Sequence, residues 1–204
     1  MKTEAELLEA WRAGDRAAGQ ALFSRYFQPI RLFFVNKIEG SPSDLVQETF
    51  MACIKGRDRI HEGGDFRAYL FGVAYRVLRV HLRSKYRAEL DLGTASMQDL
   101  APSAVTLILK SEQTRLLAQA LRILPVDLQV VMELRYWEQM NSSEIAQVLG
   151  ISASTVRYHL RQGRSQLADA IRQLAKNPKV LESTLGDIEG WAQQIRDLLR
   201  SSHD

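Results

Sequence analysis

The stretch from Asn141 to Arg164 constrains this chain more than any other. Two segments of helical period, Ser142 to Leu149 and Ala153 onward, are separated only by Gly150-Ile151-Ser152. Glycine at that place can take the left-handed conformation that ends a helix, and Ser152 is suited to cap the next one. Asn141, with Glu144 three residues on, resembles a capping box in which Asn stands in for Ser or Thr. Ile145, Ala146 and Leu149 give the first helix a buried face, and small Ala146 lets its neighbour approach closely. Val156 and Leu160 do the same for the second helix. This is the pattern of a helix-turn-helix, whose second helix enters the major groove of DNA. That helix offers Arg157, Tyr158, Arg161, Gln162 and Arg164 on its other faces. Arginine can pair with guanine edges and glutamine with adenine, while Ser154 and Thr155 near its start suit phosphates. The competing reading is a tight αα-hairpin with a solvated basic face.

The rest of the chain also reads at helical period, with few alternating Val/Ile/Thr runs. The pattern predicts an all-α protein of two small helical domains, a flexible linker and a C-terminal helical extension. Leu7, Leu8 and Trp11, then Ala18, Ala21, Leu22 and Tyr26, mark amphipathic helices with Gly14-Asp15 between them. Helical period continues through Ile30, Phe33, Phe34 and Ile38 to a stop at Gly40-Ser41-Pro42. A helix is predicted from near Ser43, and another from Phe66 to Arg83. Residues 88–112 hold Gly93, Pro102 and four acids against Lys110, the composition of a linker. Further helices are predicted at Thr114–Leu124, Val126–Trp137, Ser142–Leu149 and Ala153–Leu174. Leu181, Leu185, Ile188, Trp191, Ile195, Leu198 and Leu199 then form an apolar stripe. The resulting boundaries are 1–87, 88–112, 113–176 and 177–204.

A second basic concentration runs from Arg57 to Arg87, where eight lysines and arginines stand against three acids. Tyr69, Phe71, Tyr75 and Tyr86 are interleaved with them. Rings among cations suit melted nucleic acid, in which exposed bases stack while the backbone meets positive charge. A solvated helix face with core aromatics is the alternative, and the stronger one for Phe71. The single Cys53 excludes an internal disulfide and favours a reducing compartment. No apolar run reaches bilayer-spanning length, and the acidic N-terminus lacks the core of a signal peptide, so the expectation is a cytoplasmic protein without a membrane partner. The four histidines are scattered, so no metal is expected. No nucleotide or nucleophile motif implies a cofactor or an enzyme.

These halves, in this order, resemble an RNA polymerase sigma factor of the extracytoplasmic-function class. Asp44-Leu45-Val46-Gln47-Glu48-Thr49-Phe50 is similar to the family's polymerase-docking helix. Phe66-Arg67-Ala68-Tyr69-Leu70 through His81-Leu82-Arg83 resembles its promoter-melting helix. Leu124-Pro125 with Ser143 to Arg164 resembles its minus-35-reading domain. The resemblance implies core RNA polymerase and promoter DNA as partners, with polymerase performing the chemistry. It places Asp44, Leu45, Gln47, Glu48 and Phe50 at the polymerase. His61, Phe66, Tyr75, Arg76, Arg79 and Arg83 fall at the minus-10 element, and Gly56 to Asp65 corresponds to the base-capturing loop. Ser154, Thr155, Arg157, Tyr158, Arg161, Gln162 and Arg164 fall at the minus-35 element.

Two departures stand out. Arg76 and Val80 occupy places where many family members carry Asn and Asp in the melting helix. Ser41-Pro42-Ser43-Asp44 replaces an acidic run, which weakens attraction to a basic docking surface. Phosphorylation restores about −1.5 to −2 charges per site. Ser43, Thr49 and Ser41 are therefore the candidate acceptors for a Ser/Thr protein kinase, with Ser43 as a simple helix-start residue the alternative. The extension predicts packing on one of the domains, or an inhibitory partner. A helix-turn-helix regulator without polymerase, and a sigma-like adaptor without promoter activity, stay open at this point.

Overall fold

The structure, a computed structural model, describes residues 2–38, 40–60, 65–86, 91, 93–96, 111–175, 177–190, 193, 194 and 197. Among them the chain is all-α, with one isolated antiparallel bridge, Ser96 to Pro125.

The first unit holds α1 (Glu4–Arg12), α2 (Arg16–Val35), α3 (Ser43–Lys55) and α4 (Phe66–Tyr86), with a 3-10 turn at Arg57–Arg59. Thr3 and Glu6 form a capping box on α1, and the Asp15 carboxylate accepts from Ala17 and Ala18 to start α2. Gly14 makes the turn between them at φ 102°. Gly19 is demanded by packing, because a Cβ there would sit 2.4 Å from the Trp11 ring. Around that contact lies an aromatic core. Phe66 meets Trp11, Phe23 and Tyr26 at ring-centroid distances of 5.9, 6.4 and 5.6 Å. Phe33 meets Phe71 at 5.8 Å.

The second unit holds α5 (Glu112–Ile123), α6 (Val126–Tyr136), α7 (Ser142–Leu149) and α8 (Ala153–Leu174). Of the predicted linker, the described residues 91 and 93–96 fold against this unit. Gly93 N–H donates to the Asp91 carboxylate at 2.9 Å, and the Ala95 carbonyl accepts from Val126 at 3.0 Å. The remainder of 88–110 lies outside the described residues. A further helix, α9 (Pro178–Gly186), capped by Asn177, packs on α5 and α8 and buries Val180 and Thr184. Leu181 and Ile188 of the predicted stripe are partly buried there. Trp191, Ile195, Leu198, Leu199 and the side chain of Leu185 lie outside the described residues.

The two units pack directly on each other, α4 against α7. Gly72 faces the Val148 backbone across this seam, where a Cβ would be in ordinary contact, 3.4 Å from the carbonyl oxygen.

Candidate nucleic-acid and partner interfaces

The helix-turn-helix is built from its caps. Asn141 accepts from Ser143 at 2.8 Å and Glu144 at 3.1 Å, and the Glu144 carboxylate accepts from the Asn141 N–H. Gly150 closes α7 in the left-handed region, φ 68° and ψ 34°, donating to Ala146. Ser152 then accepts from Thr155 N–H at 3.1 Å, and its hydroxyl bonds those of Ser154 and Thr155 at 2.7 Å each. Val156, Leu160, Gly163 and Leu167 hold α8 down. Gly163 is tightly enclosed, its missing Cβ 2.9 Å from Met132 Sδ. The opposite side of α8 presents Arg157, Tyr158 and Arg161, all exposed, with the Arg161 guanidinium 5.7 Å from the Tyr158 ring. Arg164 is also exposed, but its Nε donates to the Tyr136 hydroxyl at 2.7 Å, and Gln162 is half-buried. The sequence-predicted minus-35 residues thus lie along one helix, with Arg157, Tyr158 and Arg161 facing solvent and Arg164 tied to α6.

On α4 the predicted set divides. Arg76 and Arg83 are exposed. Phe66 is a correction: it is 1% exposed inside the aromatic core, where no base can reach it. Tyr75 is corrected too for this arrangement. It is buried against the second unit and donates to the Asp127 carboxylate at 2.6 Å. Burial and that carboxylate push its phenol well above the usual tyrosine range. Arg79 is half-buried, stacks 5.5 Å from the Tyr75 ring, and keeps its Nε without a hydrogen-bond partner. His61 lies outside the described residues.

On α3, Asp44, Gln47 and Glu48 are exposed, while Leu45 is buried under them and supports the helix. Phe50 is half-buried and stacks with Phe27 at 6.4 Å and 9°. Sequence reasoning missed the rest of this surface: Phe27, Met51 and Ile54 are each nearly half exposed and continue it as an apolar face. The signal was present, because Gln47, Met51 and Ile54 fall at helical spacing on the outer side of α3. Ser41 and Ser43 are exposed, their hydroxyls 2.7 Å apart. Thr49 is a correction. It is fully buried and donates its hydroxyl to the Leu45 carbonyl at 2.7 Å, so no kinase reaches it in the folded helix. Cys53 is buried, and desolvation pushes its thiol up to about 12.

A charged cluster sits at the junction of the units, and sequence reasoning missed it as well. Lys37, in the segment after α2, pairs with Glu133 of α6, both side chains out of solvent. Lys37 also donates to the Phe33 carbonyl at 2.6 Å and lies 4.4 Å from that ring's centroid. The Glu133 carboxylate accepts from the Gln129 amide at 2.8 Å and from the Asn36 amide at 3.4 Å, while Arg122 donates to the Asn36 carbonyl at 2.5 Å. Burial drives the Lys37 ammonium below its ordinary range, and the Glu133 carboxylate opposes that. An acid enclosed by Val130, Val131, Met132 and Leu134 was the available clue.

Two helical units, one ending in a basic helix and the other in a helix-turn-helix, are the architecture of the sigma-70 proteins. Residues 23–88 match Sigma-70 region 2, and residues 114–167 match Sigma-70, region 4. The chain belongs to the extracytoplasmic-function class of RNA polymerase sigma factors. It is 23% identical over 185 residues to the ECF RNA polymerase sigma-E factor of Haemophilus influenzae, covering 84% of this chain and 97% of that one. It is 27% identical over 139 residues to the Probable RNA polymerase sigma factor RfaY of Xanthomonas campestris, covering 66% of this chain but only 35% of that protein's length. Its fold is shared with CnrH, solved in complex with the cytosolic domain of CnrY. The TM-score is 0.58 at 23% identity, over 84% of this chain and 99% of that one. Among the described residues no helix is long and apolar enough to cross a membrane, and no group of His, Cys, Asp or Glu is placed to hold a metal ion.

Proposed function

We propose that this chain is an alternative sigma factor that joins core RNA polymerase in the cytoplasm and directs it to promoters. The observation that carries this is the pairing of an exposed recognition face, Arg157, Tyr158 and Arg161, with an exposed acidic and apolar face on α3 in the same molecule. On this reading Arg157 and Arg161 read minus-35 base edges, while Ser154 and Thr155 meet phosphates. Arg76, Arg79 and Arg83 track the opened minus-10 strand. Asp44, Gln47, Glu48 and Phe50 dock polymerase, with Phe27, Met51 and Ile54 supplying apolar contact. Catalysis stays with the polymerase. Promoter-dependent transcription by core enzyme reconstituted with this chain is the test. A helix-turn-helix regulator without polymerase would shift promoter DNA but never copurify with core, and an adaptor would bind core without directing initiation.

The docking segment supports a finer reading, control by phosphorylation at Ser43 or Ser41. Both hydroxyls are exposed, and α3 begins at Ser43 behind Pro42, which has no side-chain acceptor for the helix amides; the Ser43 N–H donates to the Ser41 hydroxyl at 3.3 Å. A phosphate there would meet those amides and the positive end of the helix while restoring negative charge to the docking face. Core affinity should rise after kinase treatment and, less fully, with Ser43→Glu, and the gain should fade with salt. Equal, tight binding by untreated, treated and Ser41→Ala/Ser43→Ala protein would abolish the switch.

A further inference from the structure

We propose that the cavity beside the crossing of α4 and α7 binds a free nucleotide, with its phosphate on Arg76 and Arg79 and its base against the wall that α7 supplies. The binding site stands on the cavity alone. Its consequence, competition with the opened minus-10 strand, rests on the promoter-directing function above.

The sequence of α4 opens the space. Ala68, Gly72, Arg76 and Arg79 recur at three- and four-residue spacing, which places them on one side of the helix. Gly72 marks the crossing with α7, and Ala68 brings no more than a methyl to the space beside it. The last turn of α7, from Gln147 to Leu149, closes the opposite side. A cavity of about 600 Å³ results. Ligand pockets ordinarily hold about 300–1,000 Å³, with apolar walls and a few convergent polar groups, and they recur at boundaries between domains. A bare inorganic anion would leave most of this space unfilled.

The polar groups select the charge of the ligand. Arg76 and Arg79 line the cavity, and among the described residues neither guanidinium has an ion-pair or hydrogen-bond partner. Arg79 is half-buried, stacked 5.5 Å from the Tyr75 ring, with its Nε out of solvent. A buried donor without a partner calls for one. The planar forks of two guanidinium groups match phosphate oxygens in pairs. Asp65 also lines the cavity, but its carboxylate accepts from the Ala68 N–H at 3.0 Å. It stands at the start of α4, about 16 Å along the axis from Arg76 at ~1.5 Å per residue.

The other walls select the body of the ligand. Ile60, Val148, Leu149 and the ring of Tyr69 offer apolar surface to a planar base, and the Tyr69 hydroxyl is turned to the Gly56 carbonyl at 3.2 Å. Gln147 brings an amide that both donates and accepts, the pattern that pairs with a base edge. It belongs to the second unit, so a strand lying along α4 alone does not need it. Arg76 and Arg79 are also the residues proposed to track the opened strand. A nucleotide seated on them withholds them from DNA.

The test is isothermal titration calorimetry on the full chain without polymerase, at fixed ionic strength, with AMP, ATP and inorganic phosphate as probes. Both nucleotides should bind at least about tenfold more tightly than phosphate, because the base adds buried surface. Arg79→Gln should weaken AMP roughly tenfold or more. Gln147 is exposed, so its variants should fold. Gln147→Glu should weaken AMP and Gln147→Lys should tighten it, each about several-fold, through charge alone. AMP should also displace a fluorescent single-stranded oligonucleotide from the unaltered chain, and do so less well from Gln147→Glu. Nucleotides that bind no better than phosphate, or not at all, would overturn the site. So would an AMP affinity indifferent to Arg79→Gln and to both changes at Gln147, which would put the nucleotide on another basic face. Nucleotide binding without displacement of the oligonucleotide would overturn the competition. Intact nucleotide binding by a chain that never supports promoter-dependent transcription would instead overturn the promoter reading and leave the site standing.

Discussion

Helices α4 and α8 are nearly equal in length, 21 and 22 residues, and both carry basic residues proposed to meet DNA. Their surroundings differ. The buried residues of α8, from Val156 through Leu160, Gly163 and Leu167 to Ala170 and Ile171, follow one stripe, so Arg157, Tyr158 and Arg161 are left free. Helix α4 buries Phe66, Ala68, Leu70, Phe71, Val73, Ala74, Tyr75, Val77, Leu78 and Leu82, positions that cover most of its circumference. It is held by α2 and α3 on one side and by α7 of the other unit on another. Amphipathic period therefore identifies the available residues of α8 but misassigns Phe66 and Tyr75 of α4, because a helix packed from two directions keeps only a narrow exposed strip, here with Arg76 and Arg83.

The comparison breaks most visibly at Phe66. If its ring belongs to the core rather than to DNA, Phe66→Ala should cost about 3–5 kcal/mol in urea unfolding, through the cavity left among Trp11, Phe23 and Tyr26. A stable Phe66→Ala protein defective only in promoter opening would return the residue to the DNA-contact set.

On α8 the opposite separation is expected. Arg157→Ala and Arg161→Ala should leave the unfolding midpoint unchanged yet lose about 1–3 kcal/mol of discrimination between cognate and altered minus-35 duplexes. If every sequence is bound more weakly and the salt slope flattens, these arginines meet phosphates instead. Competition binding at several salt concentrations distinguishes the two outcomes.

The smallest effect concerns how α8 is presented. Asn141→Ala removes both acceptor contacts at the start of α7 and should cost about 1 kcal/mol of stability. Recognition should be weakened only as far as the turn loosens, which thermal melting and duplex binding measured on the same variant will show. Loss of sequence discrimination without loss of stability would give Asn141 a contact of its own.

Residue chemistry over short range was legible in the sequence. The Asn141–Glu144 box, the left-handed Gly150, the Ser152 cap and the helices Ser142–Leu149 and Ala153–Leu174 depend on neighbours a few positions away, and all are present. The all-α character followed from the same local signals, and the two-region family from the resemblance of several motifs in their order along the chain. Tertiary structure decided what depends on distant partners. Phe66 and Tyr75 look alike in a basic, aromatic helix, yet one is enclosed by α1 and α2 and the other bonded to Asp127 of α6. Thr49 carries a hydroxyl as suitable as that of Ser43, but its side of α3 faces the core. Lys37 and Glu133, 96 positions apart, become a buried pair only when the two units meet, since their charges are tolerable out of water only in each other's company.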